Sequence, residues 1–348
     1  MTITKVLTVS RPTRAQLLAR IPGFVAEVAK GASERDLSRQ LPFEAFKLFR
    51  ELELGTLRIP AALGGPGGSV ADYIEMIAAI GAADSNVAHA LRSHFNYVEN
   101  VILSEPRERD AGAVELILGG KLFGGAHTEQ GTARPGQVTT TIARKGDTYR
   151  LNGRKWYATG TAFADFASFS ALDEEGQAVG VLLPVDRQGI TILDDWDGMG
   201  QRLTASGGVI LDNVKVFPHE LARRALDNLV GRHCSTLRQL HLAASAAGAV
   251  RNVLSDGLAY VRSQARFCRP QQRRNGQSGS VRAAGDRRNR RQFLRDRHGG
   301  CRRRGCARPD GCRLGQQQRC RDRGRLDRER ADDSASAACS WPARLAKR

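Results

Sequence analysis

The chain has 348 residues and a formal charge of +18, long enough for two domains or one large layered domain. The charge is unevenly placed: residues 1–266 hold 30 Lys+Arg against 28 Asp+Glu, whereas residues 267–348 hold 24 against 8, which excludes a uniformly basic nucleic-acid-binding body. Six of the seven cysteines also lie beyond residue 266, leaving Cys234 alone in the body and excluding a disulfide scaffold there.

The start, MTITKVLTVSRPTR, lacks the basic, apolar and small-residue succession of a secretory signal, and no run of about 18 apolar residues follows, so a cytoplasmic protein without a membrane span is expected. Residues 13–54 read as helix. Leu17, Leu18, Ile21, Val25 and Val28 recur at three- and four-residue spacing, as do Phe43, Phe46, Phe49 and Leu52, with Ser33 and Asp36 as candidate caps between them. The Gly pairs and prolines of LRIPAALGGPGGS (57–69) break the pattern. Helical spacing returns over 70–103 through Tyr73, Ile74, Ile77, Ile80, Val87 and Leu91.

From residue 120 to 217 the texture becomes short runs of Val, Ile, Thr, Tyr and Phe, such as FASFSAL, AVGVLLPV and GGVILDNVKVF, with KGD and NG as hairpin turns. From Pro218 helical texture resumes. The small residues of AASAAGAV (243–250) suit close helix packing, and Val253, Leu254, Leu258 and Val261 continue an apolar face. The fold class expected is α+β: an N-terminal helical domain over 1–119, a central β-barrel or sandwich over 120–217, the start of a C-terminal helical domain over 218–266, and a basic tail over 267–348.

The tail has only eight large apolar residues and no periodicity, too little to offset its ordering entropy. As a functional element it would be an arginine-rich arm drawn to phosphates. The switch is abrupt and falls inside a helical segment, which favours the other reading, a GC-rich gene translated out of frame; nucleic acid is then not an expected partner. Cys301, Cys306, Cys312 and Cys320 make no C-x-x-C pair, a poor match to zinc spacing.

No P-loop, strand-borne G-x-G-x-x-G, H-E-x-x-H or G-x-S-x-G occurs. Five segments in order carry a resemblance instead: RIPAALGGPGGS (58–69), EMIAAIGAADSNVAHAL (75–91), GGAHTEQGT (124–132), LNGRKWYATG (151–160) and GMGQRLTASGGVILDNVKVF (198–217). Together they resemble the landmarks of the acyl-CoA dehydrogenase superfamily of flavoproteins over residues 55–266, helices first, then a β-domain, then helices.

The resemblance implies FAD, or alternatively FMN, with the protein tuning a flavin that carries the redox step. It implies that Trp156 walls the isoalloxazine, that backbone around Ala158, Thr159 and Gly160 meets its N5 edge, and that Thr128, followed by Gly131 and Thr132, meets its pyrimidine edge. Arg262 and Arg266 are similar to arginines that reach a neighbouring subunit's flavin pyrophosphate, and Gln264 stands at the position most often used. Intact members are implied to be homotetramers acting on small molecules. In the family, α-proton abstraction from an acyl thioester uses a carboxylate base, placed past Arg266 or, in a minority, on the helix holding AASAAG. No Asp or Glu stands between Asp227 and Asp256, and His241 sits near the minority position. The residues therefore lean from dehydrogenation towards the branch resembling dibenzothiophene monooxygenase, which oxygenates with reduced flavin, and His94 stands where that branch carries catalytic histidines. With the final helical bundle replaced, an apolar face on 235–262 is expected to be left uncovered. The competing expectations are a non-catalytic truncated product and a binding protein with a nucleic-acid-attracting tail.

Overall fold

Thr13 starts the first helix, α1 (Arg14–Ala29), with a reciprocal capping box to Gln16, and the helix buries Leu17, Ile21, Phe24 and Val28, the stripe its spacing predicts. In this computed structural model residues 11–104, 111–134, 136–223 and 229–264 are described, all within the first of two units that divide after Phe267. Helices α2 (Ala32–Ser38) and α3 (Phe43–Glu51) follow. Ser33 and Asp36 are not caps: they lie inside α2, because Gly31 in left-handed conformation makes the turn that starts it.

The loop at 57–69 folds back on itself. Gly67 and Gly68 donate to the carbonyls of Ile59 and Leu57, both at 2.8 Å, and a Cβ at Gly65 would meet the Ile59 carbonyl at 2.3 Å, so glycine permits a backbone approach that no side chain would. Ser69 then caps α4 (Val70–Ala83) in a box with Asp72, and Arg14 grips the same carboxylate at 2.6 and 2.8 Å. Those Arg14 hydrogen bonds hold Asp72 well below the usual carboxylate range. The expected helix over 70–103 is three: α4, α5 (Ser85–Ala90) and α6 (Arg92–Leu103), broken where Asp84 turns extended to cap α5 through the Asn86 N–H. Helix α7 (Ala111–Leu118) completes the N-terminal part; its Val114, Ile117 and Leu118 pack with Val98 of α6 and Phe123 of the first strand, joining helices to sheet.

The strands β1 (Phe123–Ala126), β2 (Thr141–Lys145), β3 (Thr148–Lys155), β4 (Phe166–Leu172), β5 (Ala178–Pro184), β6 (Ile190–Ile192), β7 (Val209–Val216) and β8 (Leu221–Arg223) form one mixed sheet. Its order is β6-β7-β3-β2-β4-β5-β8, with β1 parallel to β4. KGD does turn β2 into β3, since Lys145 pairs with Thr148. NG is not a turn: Asn152 and Gly153 lie inside β3 at a register shift against β7, where a Cβ on Gly153 would strike Thr140 and only glycine fits. The sheet also runs past 217, because Leu221 pairs with Val181 in the short β8, three residues that show no periodicity.

Strands β1 and β2 share one edge of β4, β1 at 166–169 and β2 only at Leu172. The ladder is interrupted between them at Ser170. Lys155 and Glu129 fill the interruption: Lys155 Nζ reaches Glu129 Oε1 at 2.5 Å and Ser170 Oγ at 3.2 Å, with the lysine side chain fully buried.

Helix α8 (Leu229–Gln264) has 36 residues, about 54 Å at 1.5 Å per residue. Cys234, Leu237, His241, Ala244, Ser245 and Gly248 form its buried stripe. The AASAAG segment does make the close crossing its small residues predict: a Cβ at Gly248 would lie 2.2 Å from the Ala78 carbonyl of α4, and one at Gly81 would lie 2.6 Å from the Ser245 carbonyl. The apolar face expected over 235–262 is uncovered at Leu240, Val250, Val253, Leu254, Leu258 and Val261, with Val253 and Leu254 71% and 61% exposed, while Leu237 is buried. Among the described residues no helix is long and apolar enough to cross a membrane. The tail cysteines lie outside the described residues.

Candidate functional site

Helix α6 carries a polar stripe, Arg92, Ser93, Asn96 and Asn100, at helical spacing. A charged and amide stripe on a helix that packs between other helices and a sheet must meet either buried partners or an opening. Here it meets an opening. A cavity of about 1220 Å³ lies between α6, the sheet and the first turns of α8. Gly124 and Gly125 of β1 and Gly180 of β5 contribute bare backbone to its sheet wall, with Phe169 and Val181 beside them. His127, Thr128, Tyr157 and Thr159 complete that wall, and Cys234, Arg238 and Gln239 face it from α8.

Two loops are clamped together at the cavity's edge. The Trp156 N–H donates to the Thr128 carbonyl at 2.8 Å, so the segments GGAHTEQGT and LNGRKWYATG meet as an isolated bridge. Behind Thr128 the Glu129 carboxylate accepts from Lys155, from the Thr139 and Thr140 backbone N–H groups at 2.7 and 3.1 Å, and from both threonine hydroxyls. Burial pushes this carboxyl up, but the hydrogen bonds from Lys155, Thr139 and Thr140 outweigh it and bring it down to about 2. Burial pulls the Lys155 ammonium below its ordinary range, against the attraction of Glu129.

Thr128 and Thr159 lie on the cavity wall. The Thr159 hydroxyl is joined to Ser206 Oγ at 2.7 Å, which is joined to Thr204 Oγ1 at 2.7 Å. Tyr157, not Trp156, faces the cavity; the Trp156 ring is half-buried with the Arg154 guanidinium 4.1 Å over it. Ala158 and Gly160 are buried, and their N–H groups donate within the fold, to the Gly207 and Thr204 carbonyls at 3.0 Å. Gly131 and Thr132 lie on the loop beyond Thr128 and are not among the residues that line the cavity. Gln264 ends α8; Arg266 lies outside the described residues.

His94 lies a quarter-turn from the polar stripe, in the core. It is buried against Phe95 and Phe123, with Nε2 3.0 Å from the Gly55 carbonyl, and is not among the cavity residues. Burial pushes its imidazole down to about 4, so it is neutral and donates from Nε2. His241 is likewise a core residue: Nε2 donates to the Ala88 carbonyl at 2.8 Å and Nδ1 accepts from the Tyr73 hydroxyl, and burial brings it down to about 3.

The structure adds residues that the motifs do not contain. His127 places Nε2 3.1 Å from Ser168 Oγ on the cavity wall. Tyr157 holds a left-handed backbone, φ 56, costly for a bulky residue, and its hydroxyl accepts from Gln130 Nε2 at 2.8 Å. Arg58 ties the glycine loop to α6 through Glu99 at 2.5 Å. Burial pushes the Cys234 thiol up to about 11, reinforced by Glu99, so it is no nucleophile at neutral pH. Among the described residues no Asp or Glu lines the cavity, and no group of His, Cys, Asp and Glu could hold a metal ion.

Comparison with known proteins matches residues 12–108 to the acyl-CoA dehydrogenase N-terminal domain and residues 124–214 to the acyl-CoA dehydrogenase middle domain. L-evernosamine nitrososynthase of Micromonospora is 28% identical over 71% of this chain and 61% of its own length. Dibenzothiophene monooxygenase of Rhodococcus qingshengii is 26% identical over 61% of this chain and 54% of its own. The crystal structure of FMN-bound TdsC from Paenibacillus superposes with a TM-score of 0.64 at 26% identity, covering 71% of this chain and 65% of that one. The chain thus spans about three-fifths of the length of the curated relatives it matches.

Proposed function

The chain belongs to the acyl-CoA dehydrogenase superfamily, and from that premise we propose that it is a cytoplasmic flavin-dependent oxidoreductase that oxygenates a small molecule with reduced flavin. The observation that carries the choice of oxygenation is the chemistry of the cavity wall. It offers hydroxyls, amides, an imidazole and guanidiniums, and the base position on the helix holding AASAAG is taken by His241, bonded to Ala88 and Tyr73 in the core, where dehydrogenation of an acyl thioester would need a carboxylate.

A flavin fits the residues present. The cavity, at about 1220 Å³, exceeds the roughly 300–1,000 Å³ of a single-ligand pocket, leaving room for a ring system and a substrate together. Gly124, Gly125 and Gly180 supply bare backbone at the wall, as a planar ring needs. FMN is favoured over FAD by the FMN held in TdsC. When bound, the flavin supplies the two-electron exchange with oxygen.

This chain's residues do the rest. Thr128 and Thr159, both on the cavity wall, would hold the polar edges of the ring, the Thr159 hydroxyl already oriented by Ser206 and Thr204. Trp156, Ala158 and Gly160 hold those two threonines in register through the bridge to Thr128 and the bonds to Gly207 and Thr204. Gly131 and Thr132 continue the loop beyond Thr128. His127 and Ser168 share a proton across 3.1 Å at the wall, placing an acid–base pair beside the substrate space. His94 acts by position, fixing the Gly55 turn behind α6. The exposed apolar side of α8 suits burial in a homo-oligomer.

The test uses the full chain. FMN is titrated by quenching of its fluorescence. Reduced FMN is then supplied by an NADH-dependent reductase with indole as the probe, and incorporation of labelled oxygen from ¹⁸O₂ is read by mass spectrometry. Label in the product supports the reading. Oxidation of butyryl-CoA with a dye acceptor and no label replaces oxygenation by dehydrogenation, and absence of flavin binding removes both.

A further inference from the structure

Among the described residues, two arginines on the cavity wall have no counter-charge. Arg92, the first residue of α6, and Arg238, in α8, both line the cavity and are half-buried. Burial, and then the charge of Arg238, draw the Arg92 guanidinium below its usual range. Among the described residues neither has a carboxylate partner. The buried Glu99 nearby is committed to Arg58 at 2.5 Å and to His233 at 3.4 Å. By contrast Arg35, Arg50, Arg58 and Arg187, buried to a similar degree, each sit on a carboxylate.

Removing two like charges from water beside one another opposes folding unless something supplies the opposite charge. Asn96 lines the same wall one turn of α6 beyond Arg92; its Nδ2 is a donor available to an anion, whereas its Oδ1 is an acceptor, buried without a partner. Guanidinium forks match the spacing of carboxylate, sulfur and phosphorus oxyanions, and an amide adds a donor to such a cradle through its nitrogen.

We infer that Arg92 and Arg238, with Asn96, form an oxyanion subsite that holds one end of the substrate, so that the molecule oxidised in this cavity carries a carboxylate or a sulfur oxyacid group. The inference rests on the oxidoreductase reading only for the chemistry that follows binding. A phosphate of the flavin shares this oxyanion chemistry, and the experiment separates the two sources.

Wild-type full chain and the variants R92Q, R238Q and N96L are titrated calorimetrically, without flavin, with benzoate, benzenesulfinate and neutral benzamide. FMN affinity is measured separately by fluorescence. Benzoate or benzenesulfinate should bind at least tenfold more weakly to R92Q and R238Q, as expected for loss of a charge-assisted hydrogen bond. Benzamide binding and FMN affinity should stay within twofold. Both arginine variants should melt no lower than wild type, since each removes an uncompensated charge. A tenfold fall in FMN affinity with no binding of either acid would assign the oxyanion to the cofactor and overturn the substrate class. No acid binding with unchanged FMN affinity would overturn the subsite. Because the acid arm contains no flavin, a chain that binds acids but not FMN would fail the flavin reading while leaving the subsite standing.

Discussion

Gly160→Ala isolates the junction on which the cavity's threonines depend. Gly160 has φ +76, and a Cβ there would lie 2.2 Å from the Ala90 carbonyl oxygen, 3.0 Å from its carbon and 3.2 Å from its Cα. The obstacle is backbone, so no side-chain rotation relieves it. The left-handed conformation costs an alanine about 1–2 kcal/mol, and overpacking adds about 1–3 kcal/mol, together roughly 2–5 kcal/mol. At about 2–4 °C per kcal/mol for a body of this size, the melting temperature should fall by roughly 4–20 °C. Two further variants separate the contributions. Gly131→Ala has φ +74 and nothing within 4 Å, so it carries only the backbone cost. Gly248→Ala carries only the packing cost, its Cβ 2.2 Å from the Ala78 carbonyl, less the ~1 kcal/mol that alanine gains over glycine in a helix. Differential scanning fluorimetry and urea titration of the three variants would show Gly160→Ala as the most damaging. A Gly160→Ala protein melting within about 2 °C of wild type, or Gly131→Ala equally damaging, would refute the reasoning.

Lys155→Met should destabilise by about 3–5 kcal/mol, because it leaves the Glu129 carboxylate buried without its cation, and urea midpoints would read the loss. Glu129 has its pKa lowered from 4.5 to about 2, so the stability it contributes is complete above pH 4.5 and is lost as pH falls towards 2; Glu129→Gln should flatten wild-type stability over that window in pH-dependent urea titrations. His241, lowered from 6.5 to about 3, resists protonation in the fold, so stability falls as pH drops below 6.5, and His241→Asn should shrink that slope in the same titrations. Tyr73→Phe strips the partner from His241 Nδ1 and should cost about 1–3 kcal/mol by thermal melt. Leu254→Glu on the exposed side of α8 should leave the melting temperature within about 2 °C and increase the monomer fraction on gel filtration.

Periodicity made the helices legible because their buried stripes are long: Leu17, Ile21 and Val28 in α1, and Tyr73, Ile77 and Ile80 in α4, are the residues the spacing picked out. It failed where conformation is set by one residue, as at Gly31, which starts α2, and at Gly153, where NG reads as a turn but admits Thr140 into a bulge. The pairing of residues 128 and 156 was accessible only through ordered motifs, since no local rule predicts a bridge spanning 28 positions. The cavity itself had a signal that apolar patterning ignores, the polar stripe Arg92, Ser93, Asn96 and Asn100 on an otherwise buried helix. His94 sits beside that stripe in sequence yet faces the core, because one residue of helix turns a side chain through about 100°.

The interruption between β1 and β2 means that the cavity's rim is anchored through the interior, not through a ladder of main-chain bonds. An edge segment held by ladder bonds can peel away in steps. The segment beyond Thr128 cannot, because releasing Glu129 also strands the Lys155 ammonium at the centre of the sheet. Opening the rim and dissolving the sheet's centre therefore share one threshold, and a ligand leaning on Thr128 leans on the most deeply seated ion pair described in the molecule.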